Sequence, residues 1–307
     1  MTGTSPILAK APSRTSVPHS HRGSALLFVL VALAVVMPAC LGLARAVTTA
    51  KIDRELRRDE QLVQNLLAES DAPIQDFLAQ KAPTLVLPAD VKYPAALVLD
   101  EAWTSGPDAV ALSIVAWDQC GLAALDDARR ATPTRLTLPR FATEALARHR
   151  GGGDLPGLDA FREIDGRSPF PPMPNVEVER GGTTLAWPSS TGESLGAYVA
   201  THNPGHLNVS TAPVVLLEAA LRDAGRGGLE AILAARSEGR QAPIPMPASD
   251  AKGETGSNVG ERFVSASDEW AFRVDARAGR VRRSQWLQYR PQEMNWRCVQ
   301  RLFITGE

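Results

Sequence analysis

Gly192-Glu193-Ser194-Leu195-Gly196 spells G-x-S-x-G, the spacing in which a serine on a strained turn attacks an acyl carbon. That chemistry needs a buried strand before the serine and a helix after it. Here Trp187-Pro188-Ser189-Ser190-Thr191 precedes, and an extended run from Ala197 to Asn203 follows. His202 and His206 lie close in sequence, yet no acid–histidine–serine order is recognisable. The residues favour coincidence, and a secreted hydrolase stands as a second alternative.

A second candidate is the stretch from Tyr198 to Gly239. Val214, Leu217 and Leu221 fall on one face of a first helix, "AGRGG" supplies a turn, and Leu229, Ile232 and Leu233 line a second helix. Ser210 or Thr211 is expected to cap the first helix, with Pro213 at its first position, where its missing N–H costs nothing. A glycine turn between two helices can offer backbone N–H groups to a phosphate. A membrane-anchored helix-hairpin-helix protein that binds nucleic acid is therefore the first alternative. Charge argues against it: Arg222, Arg226, Arg236 and Arg240 are offset by Glu218, Asp223, Glu230 and Glu238. A phosphate-tracking surface should be more basic.

Metal chemistry has little to draw on. There are five histidines and three cysteines, with no C-x-x-C and no H-E-x-x-H. The carboxylates of Asp126, Asp127, Asp250 and Glu254 have no calcium-loop spacing, and a solvated loop accounts for them. No cofactor is called for and no metal ligand is named. Cys40 lies in an apolar run, which leaves Cys120 and Cys298 free either to pair outside the cytoplasm or to stay as separate buried thiols.

The elements that must position these residues begin with an anchor. Ser24 to Leu43 is twenty residues without a charge, long enough to span a bilayer as a helix. Lys10, Arg14 and Arg22 precede it and the first acid is Asp53, so the N-terminal side is expected in the cytoplasm. A signal-peptidase site after Ala44-Arg45-Ala46 competes with this reading. Beyond the apolar run, Ile52, Leu56, Leu62, Val63, Leu66 and Leu67 keep helical periodicity up to Pro73, and Pro38 is expected to kink the membrane half.

Further on, "AALVLDE" and "AVALSIVAWDQCG" read as strands, as do "RFVSASDEWAFRVDARAG", "RVRRSQWLQYR" and "NWRCVQRLFI". Ala278-Gly279 marks one turn and Pro291 is placed in the next. Trp270, Phe272 and Val274 alternate as one buried face. The basic run Arg277, Arg280, Arg282 and Arg283 is expected on an outer face. Between them the chain is rich in loops and short helices. With 44% hydrophobic and 22% charged residues, the composition is that of a folded protein, and a net charge of −1 gives no global pull towards nucleic acid or anionic lipid.

Three separated passages resemble one family. "RG-SALLFVLVALAVV" is similar to a type IV prepilin N-terminus, "WDQCGL" to a strand–Asp–Gly–Leu passage, and Asn208, Thr211, Ala212, Pro213, Ala235 and Arg236 to an "N-x-N-T-A-P, helix, Gly turn, helix, A-x-R" segment. Phe263, Ser265 and Trp270 fit the closing strands that follow it. In this order they resemble the K-type minor pseudopilins of type II secretion, the general secretion pathway protein K family. Ser210 replaces the family's second asparagine, and the region between Asp127 and Ser194 has no counterpart to its Trp-Arg-Asp passage.

The resemblance implies cleavage by prepilin peptidase between Gly23 and Ser24, which takes the net charge from −1 to −4. It makes Phe28 the fifth mature position, where most pilins carry a glutamate and the K-type group does not. It implies an inner-membrane, single-pass protein with a periplasmic domain. Its partners are sibling minor pseudopilins and the secretion platform, and its work is structural, starting or capping a pseudopilus tip. Some K-type members bind calcium, so calcium stays open with its ligands unassigned. A role in a type IV pilus-like machine is equally compatible.

The expected fold is α+β: a long N-terminal transmembrane and amphipathic helix packed on an antiparallel pilin-like sheet, with an inserted, mainly helical domain. The boundaries are 1–23 leader, 24–43 transmembrane helix, 44–72 its periplasmic continuation and 73–126 the first part of the sheet. An inserted domain at 127–258 holds the hairpin 208–239, and 259–307 forms the closing strands.

Overall fold

The computed structural model describes residues 21–104, 109–124, 170, 171, 173, 175–179, 182–186, 194–200, 205–245, 263–293 and 295–304. The chain divides into two compact units, Met1–Arg57 and Arg58–Glu307. Helix α1 runs His21–Glu69 and contains Pro38. In the first unit its apolar side chains from Leu26 to Leu43 are all exposed, as are Val47, Ile52 and Leu56. This is one helix long and apolar enough to cross a membrane.

The second unit is built on a five-stranded antiparallel sheet in the order β1-β2-β9-β10-β11. These strands are β1 (Ala95–Thr104), β2 (Val110–Asp118), β9 (Trp270–Ala278), β10 (Val281–Gln292) and β11 (Asn295–Ile304). Side chains alternate across a strand, so each one feeds two layers. Leu112, Ile114, Ala116, Trp270, Phe272, Val274 and Leu287 face one layer. Val115, Trp117, Ala271 and Trp286 face the other.

The first layer is closed by the end of α1 and by α2 (Asp71–Gln80). Val63, Leu66 and Leu67 bring the apolar stripe of α1 onto the sheet, and Ile74, Phe77 and Leu78 do so for α2. Phe77 stands edge-on to Trp270 at 5.3 Å and to Phe272 at 5.9 Å. Burying one such ring stabilises the fold by about 1.5–3 kcal/mol, and edge-to-face contacts add to that. Polar contacts fix the same docking. Asp59 accepts from the Arg280 N–H at 3.4 Å, and Glu60 pairs with Arg283 at 2.9 Å. Gly279 has φ +54, and a Cβ there would collide with the Asp59 carboxylate.

The opposite layer holds an aromatic cluster. Trp286 packs on Trp117 at 6.5 Å and on Phe170 at 5.8 Å, and the Tyr93 and Tyr198 hydroxyls meet at 3.0 Å. Arg273 is completely buried within this face. It donates to Asp275 at 3.1 Å and to the Pro171 carbonyl, and Arg282 reaches Asp275 at 2.5 Å. Burial works to raise the Asp275 carboxyl, but Arg273 and Arg282 outweigh it and hold the group below its ordinary range.

A third cluster belongs to a helical hairpin, α3 (Val214–Asp223) and α4 (Leu229–Ser237). Leu217, Leu221 and Ile232 meet Val209 and Phe263 there. Gly225 and Gly228 turn the chain with φ +61 and +104, conformations that favour glycine.

Several sequence expectations need correction. Pro73 does not end the helical region. It sits in the first turn of α2, where proline is tolerated, and the break comes at Ser70. Pro213 is the N-cap of α3 rather than its first helical residue, and neither Ser210 nor Thr211 caps the helix. Pro291 lies inside β10, opposite Trp296, and the turn falls at Glu293, φ +55. The region 127–258, expected to be helical and looped, contains an antiparallel pair, β4 (Asn175–Glu179) and β5 (Gly182–Ala186).

Candidate functional site

Apart from Ser113, β2 is apolar until its last residue, Asp118, and that carboxylate is completely buried. Four donors converge on it. Asn208 Nδ2 and Thr211 Oγ1 reach Oδ2 at 2.8 and 2.5 Å. The Gly121 N–H reaches Oδ1 at 3.1 Å, and Ser267 Oγ also donates to Oδ1. Asn208 completes its own set by donating to Ser267 Oγ and accepting from the Ser210 N–H, both at 2.9 Å. Burial pushes the Asp118 carboxyl above its ordinary range, and the four donors work against that shift.

The loop that delivers Asn208 and Thr211 is held by short parallel pairing of β7 (Leu207–Asn208) with β8 (Phe263–Val264). Thr211 spends its hydroxyl on Asp118 instead of on a helix cap, and Ser210 Oγ accepts from the Ala242 N–H at 3.2 Å. Gly121 is required by close approach, since a Cβ would lie 2.5 Å from Pro94 Cβ and 3.0 Å from Thr211 Oγ1.

Arg236 forms the second anchor. Its buried guanidinium donates to three backbone carbonyls: Leu87 at 2.7 Å, Pro88 at 2.7 Å and Ala212 at 2.6 Å. Burial lowers its pKa to about 10, and Asp90 partly counters the shift. Ala212 is buried beside it, and Pro213 is the N-cap residue of α3. Five residues singled out in the sequence, Asn208, Thr211, Ala212, Pro213 and Arg236, thus lie at one junction between sheet and hairpin.

At the same end of the sheet, Glu269 is buried and pairs with Arg290 at 2.8 Å. Burial raises its pKa to about 7, against the pull of Arg290. Cys120 donates its thiol proton to Asp268 at 3.3 Å, and burial pushes that thiol far up. The buried acids Asp118 and Glu269 and the salt-bridged Arg273–Asp275–Arg282 set were not foreseen as a group. One available signal is an acid closing a strand that is apolar but for Ser113, "AVALSIVAWD".

This arrangement locks backbone segments together. Asp118 has every lone pair engaged and no exposure, so it is placed neither to take a proton from a substrate nor to bind an ion. Ser194 is also buried, and it is followed by a single turn of 3-10 helix, Leu195–Ala197, and then a short strand. Among the described residues, the helix that a nucleophile elbow needs after its serine is not formed. Arg236, one of the four hairpin arginines, is used internally. Among the described residues no group of three or more His, Cys, Asp or Glu could hold a metal. Asp126, Asp127, Asp250, Glu254, Gly192 and His202 lie outside the described residues.

Gly23 and Ser24 lie in the first turn of α1, and Phe28 further along it is 72% exposed. Cys120 and Cys298 are free thiols. Cys120 lies in the 3-10 turn just past the end of β2 and Cys298 in β11, and β9 and β10 stand between those two strands, roughly 14 Å at about 4.8 Å per strand, beyond the reach of a disulfide.

No protein-family model matches the chain. No curated protein matches it either. Among solved structures, a chain of the GspK-GspI-GspJ complex from the enterotoxigenic Escherichia coli type 2 secretion system is similar at 12% identity. That match covers 80% of this chain and 98% of the other, with a TM-score of 0.40.

Proposed function

We propose that this chain is a minor pseudopilin-like structural component of a type II secretion or type IV pilus-like machine, one that helps start or cap the filament tip and catalyses nothing. The observation that carries this reading is the use made of Asn208, Thr211, Ala212, Pro213 and Arg236. Four of them, Asn208, Thr211, Ala212 and Arg236, are buried and fasten sheet to hairpin, and Pro213 starts the hairpin's first helix. The fully exposed apolar helix from Leu26 to Leu43 supports a membrane anchor beside it.

In this reading prepilin peptidase cuts between Gly23 and Ser24. The chain then stands in the inner membrane with its N-terminus cytoplasmic and its folded unit periplasmic, among sibling pseudopilins and the secretion platform. Phe28 at the fifth mature position suits a subunit with nothing ahead of it. An in-frame deletion in the source bacterium tests this. Secreted enzymes should accumulate in the periplasm and return to the medium on complementation. Unchanged secretion and unchanged surface filaments would refute the reading.

A further inference from the structure

Helix α1 carries its charges unevenly, both along its length and around its axis. From Ser24 to Ala44 it has none. Arg45, Lys51, Arg54, Arg57 and Arg58 then follow, and no base lies between Arg58 and the end of the helix at Glu69. At about 100° per residue, Ile52 and Leu56 share one side of the helix, and Lys51, Arg54, Arg57 and Arg58 share an arc about 120° wide on the other. Asp53 and Glu55 flank the apolar side. The four bases of the arc are exposed. Among the described residues Lys51 pairs with Glu55 at 3.8 Å, and no acid pairs with Arg54, Arg57 or Arg58. The Lys51–Glu55 pair is open to solvent on both sides, so it holds the ammonium weakly.

The arc begins close to the apolar run. Lys51 is about 12 Å and Arg57 about 21 Å along the axis from Leu43, at ~1.5 Å per residue. Helical side chains lean toward the N-terminus of their helix, which here is the apolar end, so each charge is carried back toward it. A headgroup layer adds about 5–8 Å beyond the hydrocarbon, and charges interact over roughly 8 Å more at physiological salt. Lys51 and Arg54 fall within that range. A tilt of about 20° toward the basic arc lowers Arg57 as well and lifts Asp53 and Glu55 away.

We infer that the basic arc of α1, Lys51, Arg54 and Arg57 with Arg58 beyond them, docks on anionic phospholipid headgroups of the membrane that the apolar run spans, and so sets the side toward which the helix leans. A planar guanidinium holds a phosphate through two parallel donors, which suits three of the four positions. Acids spread evenly among the bases would cancel the attraction, whereas here they stand on the far side. A lipid surface is favoured over an acidic protein by where the bases start and stop. They follow directly on the apolar run and end at Arg58, although α1 continues to Glu69. Arg45 falls on the apolar side and reaches the interface whichever way the helix leans. This inference rests on the membrane anchor of the pseudopilin reading and adds to it a lipid class and a direction.

Arginine modification by phenylglyoxal tests it, read by peptide mass spectrometry on the full chain in phosphatidylcholine vesicles with and without phosphatidylglycerol. Arg222, exposed on the hairpin, is the internal reference. Phosphatidylglycerol should slow Arg54 and Arg57 about fivefold relative to Arg222. Molar salt should restore their rates, because it shortens screening to about 3 Å. Equal rates in the two kinds of vesicle, in a chain that floats with both, would overturn the inference and leave the anchor standing. Slow modification in both would place an acidic protein surface on the arc, and would overturn it too. A chain that floats with neither would remove the anchor and this inference together.

Discussion

Asn208 Nδ2 lies 2.8 Å from Asp118 Oδ2, across 90 residues of chain, and the carboxylate it meets is inaccessible to water. A buried anion of this kind is tolerable only because every oxygen is engaged. Asp118 therefore holds the hairpin loop to the end of the central sheet.

Asp118→Ala should destabilise the folded unit by about 3 kcal/mol, because Asn208, Thr211, Ser267 and the Gly121 N–H all lose their acceptor in a dry site. Urea unfolding of the full chain in detergent reads this directly. Trp117 precedes Asp118 in the chain and Trp270 is its partner in β9, so tryptophan fluorescence reports on the site. A loss under about 1 kcal/mol would mean the network contributes no more than an ordinary surface contact.

Arg236→Lys tests the second anchor. A lysine ammonium cannot present a planar fork to the Leu87, Pro88 and Ala212 carbonyls at once. Hydrogen exchange should speed up across 207–245, while β9 amides stay protected. Equal acceleration in both regions would show that hairpin and sheet unfold as one unit.

The pH dependence of stability follows from the buried carboxyls. Glu269 has its pKa raised to about 7 in the fold, so it binds a proton more tightly folded than unfolded. Its contribution is complete below the unfolded value and is lost as pH rises through about 7. Asp118 is shifted in the same direction, whereas Asp275 is lowered and loses its contribution only as pH falls below the ordinary carboxylate range. The urea midpoint should therefore be higher near pH 5 than near pH 8. Glu269→Gln should shrink that difference. A wild-type midpoint that climbs with pH would show that these shifts do not govern stability.

Much of the framework was legible because it depends on local periodicity. The alternation of Trp270, Phe272 and Val274 marks β9, and the spacing of Leu217 and Leu221 marks α3. Helix α2 was missed because Pro73 reads as a breaker, and only the position of Ser70 puts it in a first turn. Pro291 reads as a turn residue for a similar reason. It lies beyond the last β9 partner, Tyr289, where β10 needs to bond on one side only. The sequence brought Asn208, Thr211 and Arg236 forward by resemblance. It could not say what they bind, because Asp118 meets Ser267 from 149 residues away and Arg236 meets Leu87 across the same distance. Sequence spacing leaves Cys120 and Cys298 open as a pair, because it carries no information on the two strands that separate β2 from β11.

The mature N-terminus of the protein purified from membranes tests the central claim most directly, by mass spectrometry of its first peptide. The pseudopilin reading predicts a first residue of Ser24, N-methylated, with the apolar helix retained. A first residue of Val47 would contradict it, because the segment read as an anchor would then be a removed secretion signal.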